Sequence, residues 1–377
     1  RVAGYEYIVY LSESQRRFSF PSRNDVSYRY FQAPAHGLFR RLFWEQVTLR
    51  TILKQDAIDV LFEPGNVGML GGRMPRVLLV HNIAPFSEEF ISNEPLTSRI
   101  RLRLLRLVTR LSARSAAGII HLTDFAHQYV RQSLHCDHVP QTTIHMGSGS
   151  DRTGLIPRSA LERVFGISGM LIFCCSHIYR YKNVMETVRA YAKFREQTHV
   201  VSTMLIAGEH YDTAYTDEIR GYIDANGLQN SVKLIGSVDS ITLHSLYAAC
   251  DLFIFASWLE SASLILIEAL QMAAPIAAAS TGLTREILEE AAAFFDPHDP
   301  DSICDTMKRV LRDGVLRDGL RRSARLRAKS FSWERTARRT LDFITQSAKG
   351  ALNRAADEKS LKRLSQRKVE DSAEVRR

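Results

Sequence analysis

The stretch Cys250-Asp-Leu-Phe-Ile-Phe-Ala-Ser-Trp-Leu-Glu-Ser-Ala-Ser-Leu-Ile-Leu-Ile-Glu268 decides the fold. Its first eight residues are an apolar run of strand length, and from Leu264 to Met272 the apolar residues continue at helical length. A strand that passes through a short turn into a helix is one βα step. Glu260 precedes the helix and Glu268 lies inside it, eight positions later, so the two acids are not an i,i+4 pair on a solvated helix face. In a doubly wound α/β sheet the ligand crevice lies beyond the carboxyl ends of the strands, and acids at such a junction face a ligand.

The same step recurs on both sides of this stretch. Strand-like runs lie at Val77 to His81, Gly118 to Thr123, Met170 to Ser176, Val201 to Gly208, Val232 to Gly236 and Pro275 to Ser280, each followed by a helix-like segment. Alternating βα units predict parallel sheets, and 377 residues suit two α/β domains. The turn-rich segment Gly147-Ser-Gly-Ser-Asp-Arg-Thr-Gly154 is the expected boundary, which gives domains over 1–150 and 151–345 and a charged tail over 346–377. A nucleotide-handling domain ordinarily opens with an apolar strand and a glycine-rich turn, whereas Arg1 leads directly into Tyr5-Glu-Tyr-Ile-Val-Tyr-Leu11. The first domain is therefore expected to lack its first βα unit.

Charge and composition narrow the classes of partner. The net charge of +9 implies an anionic partner, and the arginines of Ser98 to Arg114 alternate with leucine over a helical length. Two readings of that helix stay open: a basic amphipathic helix on an anionic membrane surface, or a helix with its leucines on the sheet and its arginines in solvent. No uncharged apolar run approaches the roughly 20 residues of a membrane span, and the expected location is cytoplasmic, peripheral on the inner membrane face in the first reading. The five cysteines, Cys136, Cys174, Cys175, Cys250 and Cys304, lack CxxC spacing and read as buried thiols. His121, His145 and His177 share no metal-ligand spacing and read as structural. Nucleic acid is disfavoured as a partner because aromatic platforms do not interleave with the basic residues.

Four segments of the second domain place polar or small residues just after strands. His177-Ile-Tyr-Arg-Tyr-Lys-Asn183 supplies Arg180 and Lys182, cations able to hold a departing diphosphate. Gly208 and Gly236 end strands and allow close backbone approach to a ligand, or serve a purely local turn. Ser263 is the expected N-cap of the following helix, leaving the amides about Ser261, Ser263 and Leu264 to bind phosphate. Glu268 then sits in the second helical turn among apolar residues, where a carboxylate is costly unless a partner such as the vicinal hydroxyls of a ribose meets it.

Tyr181-Lys-Asn183, Leu205-Ile-Ala-Gly-Glu209, Leu246-Tyr-Ala-Ala-Cys-Asp251, the Glu260 to Glu268 element and Phe295-Asp-Pro-His-Asp-Pro300 together resemble the donor domain of the retaining GT-B glycosyltransferases of the group 1 type, family 4. Val80-His-Asn-Ile-Ala-Pro85 and Ile144-His-Met-Gly147 resemble, more faintly, that family's first domain. The resemblance implies two Rossmann-like domains facing across a cleft. It implies that Glu268 holds the ribose, Glu260 approaches the donor sugar, Lys182 binds the diphosphate and His81 lines the acceptor side near the reacting centre. It further implies a UDP- or GDP-type nucleotide sugar as donor, a lipid-linked or polysaccharide acceptor, retention of configuration, and neither cofactor nor metal. His177 stands where the family has arginine, and Glu260-Ser-Ala-Ser263 replaces its glycines. Two alternatives remain: a GT-B type UDP-sugar epimerase, and a catalytically weak GT-B binding subunit.

Overall fold

The computed structural model describes residues 4–32, 40, 43–72, 74–149 and 152–374, with side chains as far as residue 354. Twelve strands among these residues form three parallel sheets. Strands β1 (Tyr7–Ser12) and β2 (Val26–Phe31) pair with each other alone. Strands β3 (Leu61–Glu63), β4 (Arg76–Val80), β5 (Gly118–His121) and β6 (Gln141–Thr143) lie side by side in that order.

The third sheet contains β7 (Met170–Cys175), β8 (Ser202–Ala207), β9 (Val232–Gly236), β10 (Leu252–Phe255), β11 (Ile276–Ala279) and β12 (Ala292–Phe295). Its order is β12-β11-β10-β7-β8-β9, and every pair is parallel. The chain thus winds outward from β7 in one direction, returns, and winds outward from β10 in the other. The strand order reverses between β7 and β10, which is where such sheets open a crevice.

The strands of the third sheet are mainly apolar because both of its faces are covered, as parallel sheets require. Alternate residues serve opposite layers. Ile172, Met204, Ile206, Leu252 and Ile254 pack with the Val184–Thr198 and Pro300–Arg312 helices on one face. Leu171, Phe173, Leu205, Phe253 and Phe255 pack with the Ser240–Ala249, Leu264–Gln271 and Gly282–Leu288 helices on the other.

The seven strand-like runs of the sequence all lie on observed strands, and the structure adds β1, β2, β3, β6 and β12. The helix from Trp333 to Glu374 returns to the first sheet, earlier than the boundary placed at 345. Phe343 and Ile344 pack on Val77, Ile120 and Ile144, and the two crossing segments touch through a bridge between Ser148 and Ser332. A Cβ at Gly118 would lie 2.5 Å from Ser347 Oγ, so glycine is what lets this helix approach β5.

The Leu96–Arg114 helix turns apolar residues both toward the first domain and outward. Leu102, Val108 and Ala113 are buried against the first domain, whereas Leu96, Ile100, Leu107 and Leu111 are 42% to 70% exposed. At 100° per residue these two sets occupy opposite faces of the helix.

Candidate functional site

The loops after β7 and β10 line the switch-point crevice. After β7, a short 3-10 turn over Arg180–Lys182 ends at Asn183, which adopts φ 61° and opens the Val184–Thr198 helix. Asn183 Nδ2 donates to Pro297 O at 2.5 Å, tying this turn to the loop after β12. The turn directs Lys182 across the crevice, where its Nζ is ion-paired with Glu260 Oε1. Both side chains are largely withdrawn from solvent, at 11% and 15% exposure. The hollow behind Lys182, walled by Cys174, Cys175 and Ser257, measures only about 10 Å³.

The Leu264–Gln271 helix begins at the expected cap. Ser263 Oγ accepts from Leu266 N at 3.3 Å, leaving the Leu264 and Ile265 amides at the helix start facing the crevice end of the sheet. Glu268 lies beside the Cys175 thiol and the buried Tyr247 hydroxyl, and its charge helps push both of those groups up, Cys175 to about 11. Burial in turn raises the Glu268 carboxyl above its ordinary value. Among the described residues no donor meets that carboxylate, which is the condition in which a ligand's hydroxyls become effective partners.

The first domain meets this crevice at the ends of β4 and β5. Asn66 Oδ1 accepts from His81 N at 3.0 Å and Asn82 N at 2.9 Å, which fixes the loop that carries His81. Burial lowers the His81 imidazole below its ordinary value. Ser261 Oγ donates to His81 O, and Thr123 Oγ1 donates to Ser261 O at 2.8 Å. Leu259 is buried with Leu78, Val80, Ile83 and Phe86 of the first domain, and Phe90 packs edge-on to Tyr181 at 5.7 Å. The segment Trp258–Ser261 is thus at once a wall of the crevice and the contact between domains.

A second contact lies on Glu286. Its carboxylate accepts from Asp124 N at 2.8 Å and Phe125 N at 2.7 Å, and pairs with His145 Nε2 at 2.7 Å. An acid of the second domain thereby caps the Asp124–Leu134 helix of the first, a favourable place for negative charge.

The structure brings together Lys182, Glu260, Ser261, Ser263, Leu264 and Glu268, and sets His81 against Ser261. Arg180 does not join them. Its guanidinium turns outward over the Tyr215 ring and is held by both oxygens of Glu218, at 2.5 and 3.1 Å. Gly208 has φ 142°, and a Cβ there would lie 2.0 Å from Ser176 O, so its glycine answers a backbone contact between strand ends. Gly236 closes β9 at φ 68° with open space about it. His177 Nδ1 accepts from Glu209 N at 3.3 Å. His121 is buried against Gln141 and stacked on His127, and burial lowers it to about 4.

Sequence reasoning passed over Asn66, Thr123, Leu259 and Glu286. Thr123-Asp124 did carry a capping signal, but the contacts of the other three follow only from how the two domains meet.

Residues 168–327 match the family described as glycosyl transferases group 1. The D-inositol 3-phosphate glycosyltransferase of Nocardioides sp. is 33% identical over 129 residues, covering 34% of this chain and 28% of that protein. The O-antigen chain mannosyltransferase B of Escherichia coli is 23% identical over 250 residues, 64% of each chain. This chain therefore spans less than two thirds of either relative. In overall shape it is similar to WaaG, a glycosyltransferase involved in lipopolysaccharide biosynthesis, with a TM-score of 0.68 at 16% identity over 90% of this chain and 99% of that one. Two parallel α/β domains facing across the β7/β10 crevice are the GT-B fold, and the match to the group 1 glycosyl transferases lies in the second of them.

Proposed function

We propose that this glycosyltransferase moves a hexose from a UDP- or GDP-type nucleotide sugar to a lipid-linked or polysaccharide acceptor, with retention of configuration. One observation carries the reading: Lys182 and Glu260 are paired at the switch point, with the otherwise unmet Glu268 carboxylate on the adjoining helix. The ribose hydroxyls donate to Glu268, the diphosphate takes Lys182, and the donor sugar's hydroxyls donate to Glu260. Binding exchanges partners. Lys182 leaves Glu260 for the diphosphate, which frees Glu260 for the sugar and puts fixed positive charge where the leaving group gains negative charge. The amides about Ser261, Ser263 and Leu264 add neutral donors, and no metal is needed in this scheme. His81, exposed at the end of β4, lines the acceptor side. Contact between the domains excludes water that would otherwise take the sugar.

The names of the mannosyltransferase and of WaaG support an acceptor in surface-polysaccharide assembly. The outward apolar stripe of the Leu96–Arg114 helix, flanked by arginines, supports docking on an anionic membrane at the inner face. No helix among the described residues is long and apolar enough to cross a membrane.

The test is product analysis with UDP-, GDP- and ADP-sugars and lipid-linked acceptors, scoring transfer and C2 epimerisation in parallel. Transfer with the donor's anomeric configuration, abolished by Glu268→Ala, is expected. Epimerisation without transfer, or nucleotide binding without turnover, would overturn the assignment.

A further inference from the structure

An open cavity of about 530 Å³ lies at the carboxyl ends of β11 and β12, beside the Trp258 loop. Its size is that of a small-molecule site rather than of a bare ion. Aromatic and polar groups alternate around it: Trp258 and Phe294 against Thr281, Arg285, Asp296 and His298. That mixture suits a sugar, which presents C–H faces to rings and hydroxyl edges to polar groups.

Arg285 supplies the cavity's guanidinium, while the Asp296 carboxylate in the same lining accepts from His298 N at 2.9 Å. The guanidinium lies 3.9 Å from the centre of the Phe294 ring, and Nε and Nη2 donate to Ser280 Oγ at 3.2 and 3.0 Å. Stacked and hydrogen-bonded, the guanidinium is held in place before any ligand arrives. No carboxylate pairs with it among the described residues, unlike Arg76, Arg158, Arg180 and Arg327, each of which meets an acid. An arginine held in this way at the cavity, exposed and without a paired acid, can take a carboxylate or phosphate through two hydrogen bonds of its planar fork.

We infer that this cavity binds an anionic saccharide unit of the acceptor, with Arg285 on its carboxylate or phosphate and its ring beside Trp258. The Trp258 ring faces His298 at 6.4 Å, and Glu260 follows two residues later, so a saccharide seated here lies along the loop that carries Glu260. The link to an acceptor rests on the transferase reading; binding of the saccharide does not.

The experiment is calorimetric titration of the full chain with trigalacturonate, glucose 6-phosphate, maltotriose and inorganic phosphate, alongside UDP. Trigalacturonate or glucose 6-phosphate should bind, and whichever does identifies the charged group. Arg285→Gln should weaken that binding about tenfold, the loss of one charge-assisted contact, while UDP affinity stays within about twofold of the wild type. His298→Ala, on an exposed loop, should weaken the same ligand without touching UDP. The inference fails if maltotriose binds as tightly as the charged sugars, if inorganic phosphate alone matches them, if none binds, or if Arg285→Gln leaves their affinity unchanged. Loss of UDP binding in the wild type would instead count against the donor site and leave this cavity's saccharide binding standing.

Discussion

Ser261 of the second domain is hydrogen-bonded through its side chain to the main-chain carbonyl of His81 in the first. The loop that carries Glu260 is therefore positioned by both domains, and Lys182, held to Glu260, is positioned with it. The contact between the domains therefore also holds the paired Lys182 and Glu260 in place.

Lys182→Ala should lower kcat by about 10²–10³, the range seen when one donor to a developing negative charge is removed, or about 2.7–4 kcal/mol of barrier. Arg180→Ala should stay near wild type, because that guanidinium is committed to Glu218 on the outer surface. Steady-state kinetics of the two variants decides it. Equal rates for both would refute the assignment of Lys182.

Nucleotide affinity should depend on pH through Glu268. Burial raises its folded-state pKa above 4.5, so its carboxylate is lost on acidification earlier than an exposed one. Binding of UDP or GDP should weaken as pH falls, with a midpoint above 4.5, and Glu268→Gln should bind weakly and without this dependence. The stability effect has the opposite sign. A raised folded pKa contributes stability below the unfolded value, and that contribution is lost as pH rises through the folded one. Glu268→Gln should therefore unfold at a higher denaturant concentration than the wild type at pH 7.5. A variant that binds nucleotide normally would remove Glu268 from the site.

Glu286→Ala should loosen the contact between domains. It deletes two hydrogen bonds to a charged acceptor and the pair with His145, and bonds of that kind are typically worth about 1.5–3 kcal/mol each. Small-angle scattering should show a larger radius of gyration, with the melting of each domain little changed. An unchanged scattering curve would show that the Leu259 contact suffices alone.

Ile100→Glu combined with Leu107→Glu should abolish sedimentation with phosphatidylglycerol vesicles. Both side chains face outward, and burying each in a bilayer surface is worth about 1.5–3 kcal/mol. Raising the salt should weaken wild-type binding, since Arg103 lies on the same face and no acid pairs with it among the described residues. Vesicle binding that survives both substitutions would place the contact elsewhere.

The second domain was legible because its strands are buried on both faces and its chemistry sits just after them. Ser263 declared itself as a cap, and Glu268 as a charge within an apolar helix. Other parts were hidden for physical reasons. Strand β3 has three residues, β6 is Gln-Thr-Thr, and β12 opens with two alanines that suit a helix as well as a strand. Arg180 and Lys182 look alike in sequence, yet one turn of 3-10 helix sends them to opposite sides. The mutual pairing of Lys182 and Glu260 needs the strand order to bring β7 beside β10, which local patterns do not encode.

The return of the helix at Trp333 has a consequence for how the protein is made. Phe343 and Ser347 cover a face of β5 that was synthesised more than two hundred residues earlier. During translation the second domain can bury its own core as soon as it leaves the ribosome, whereas the first must wait, with apolar side chains uncovered, until the polypeptide's late helix emerges and lies down upon it. Synthesis order and order of completion are therefore reversed: the domain that begins first finishes last.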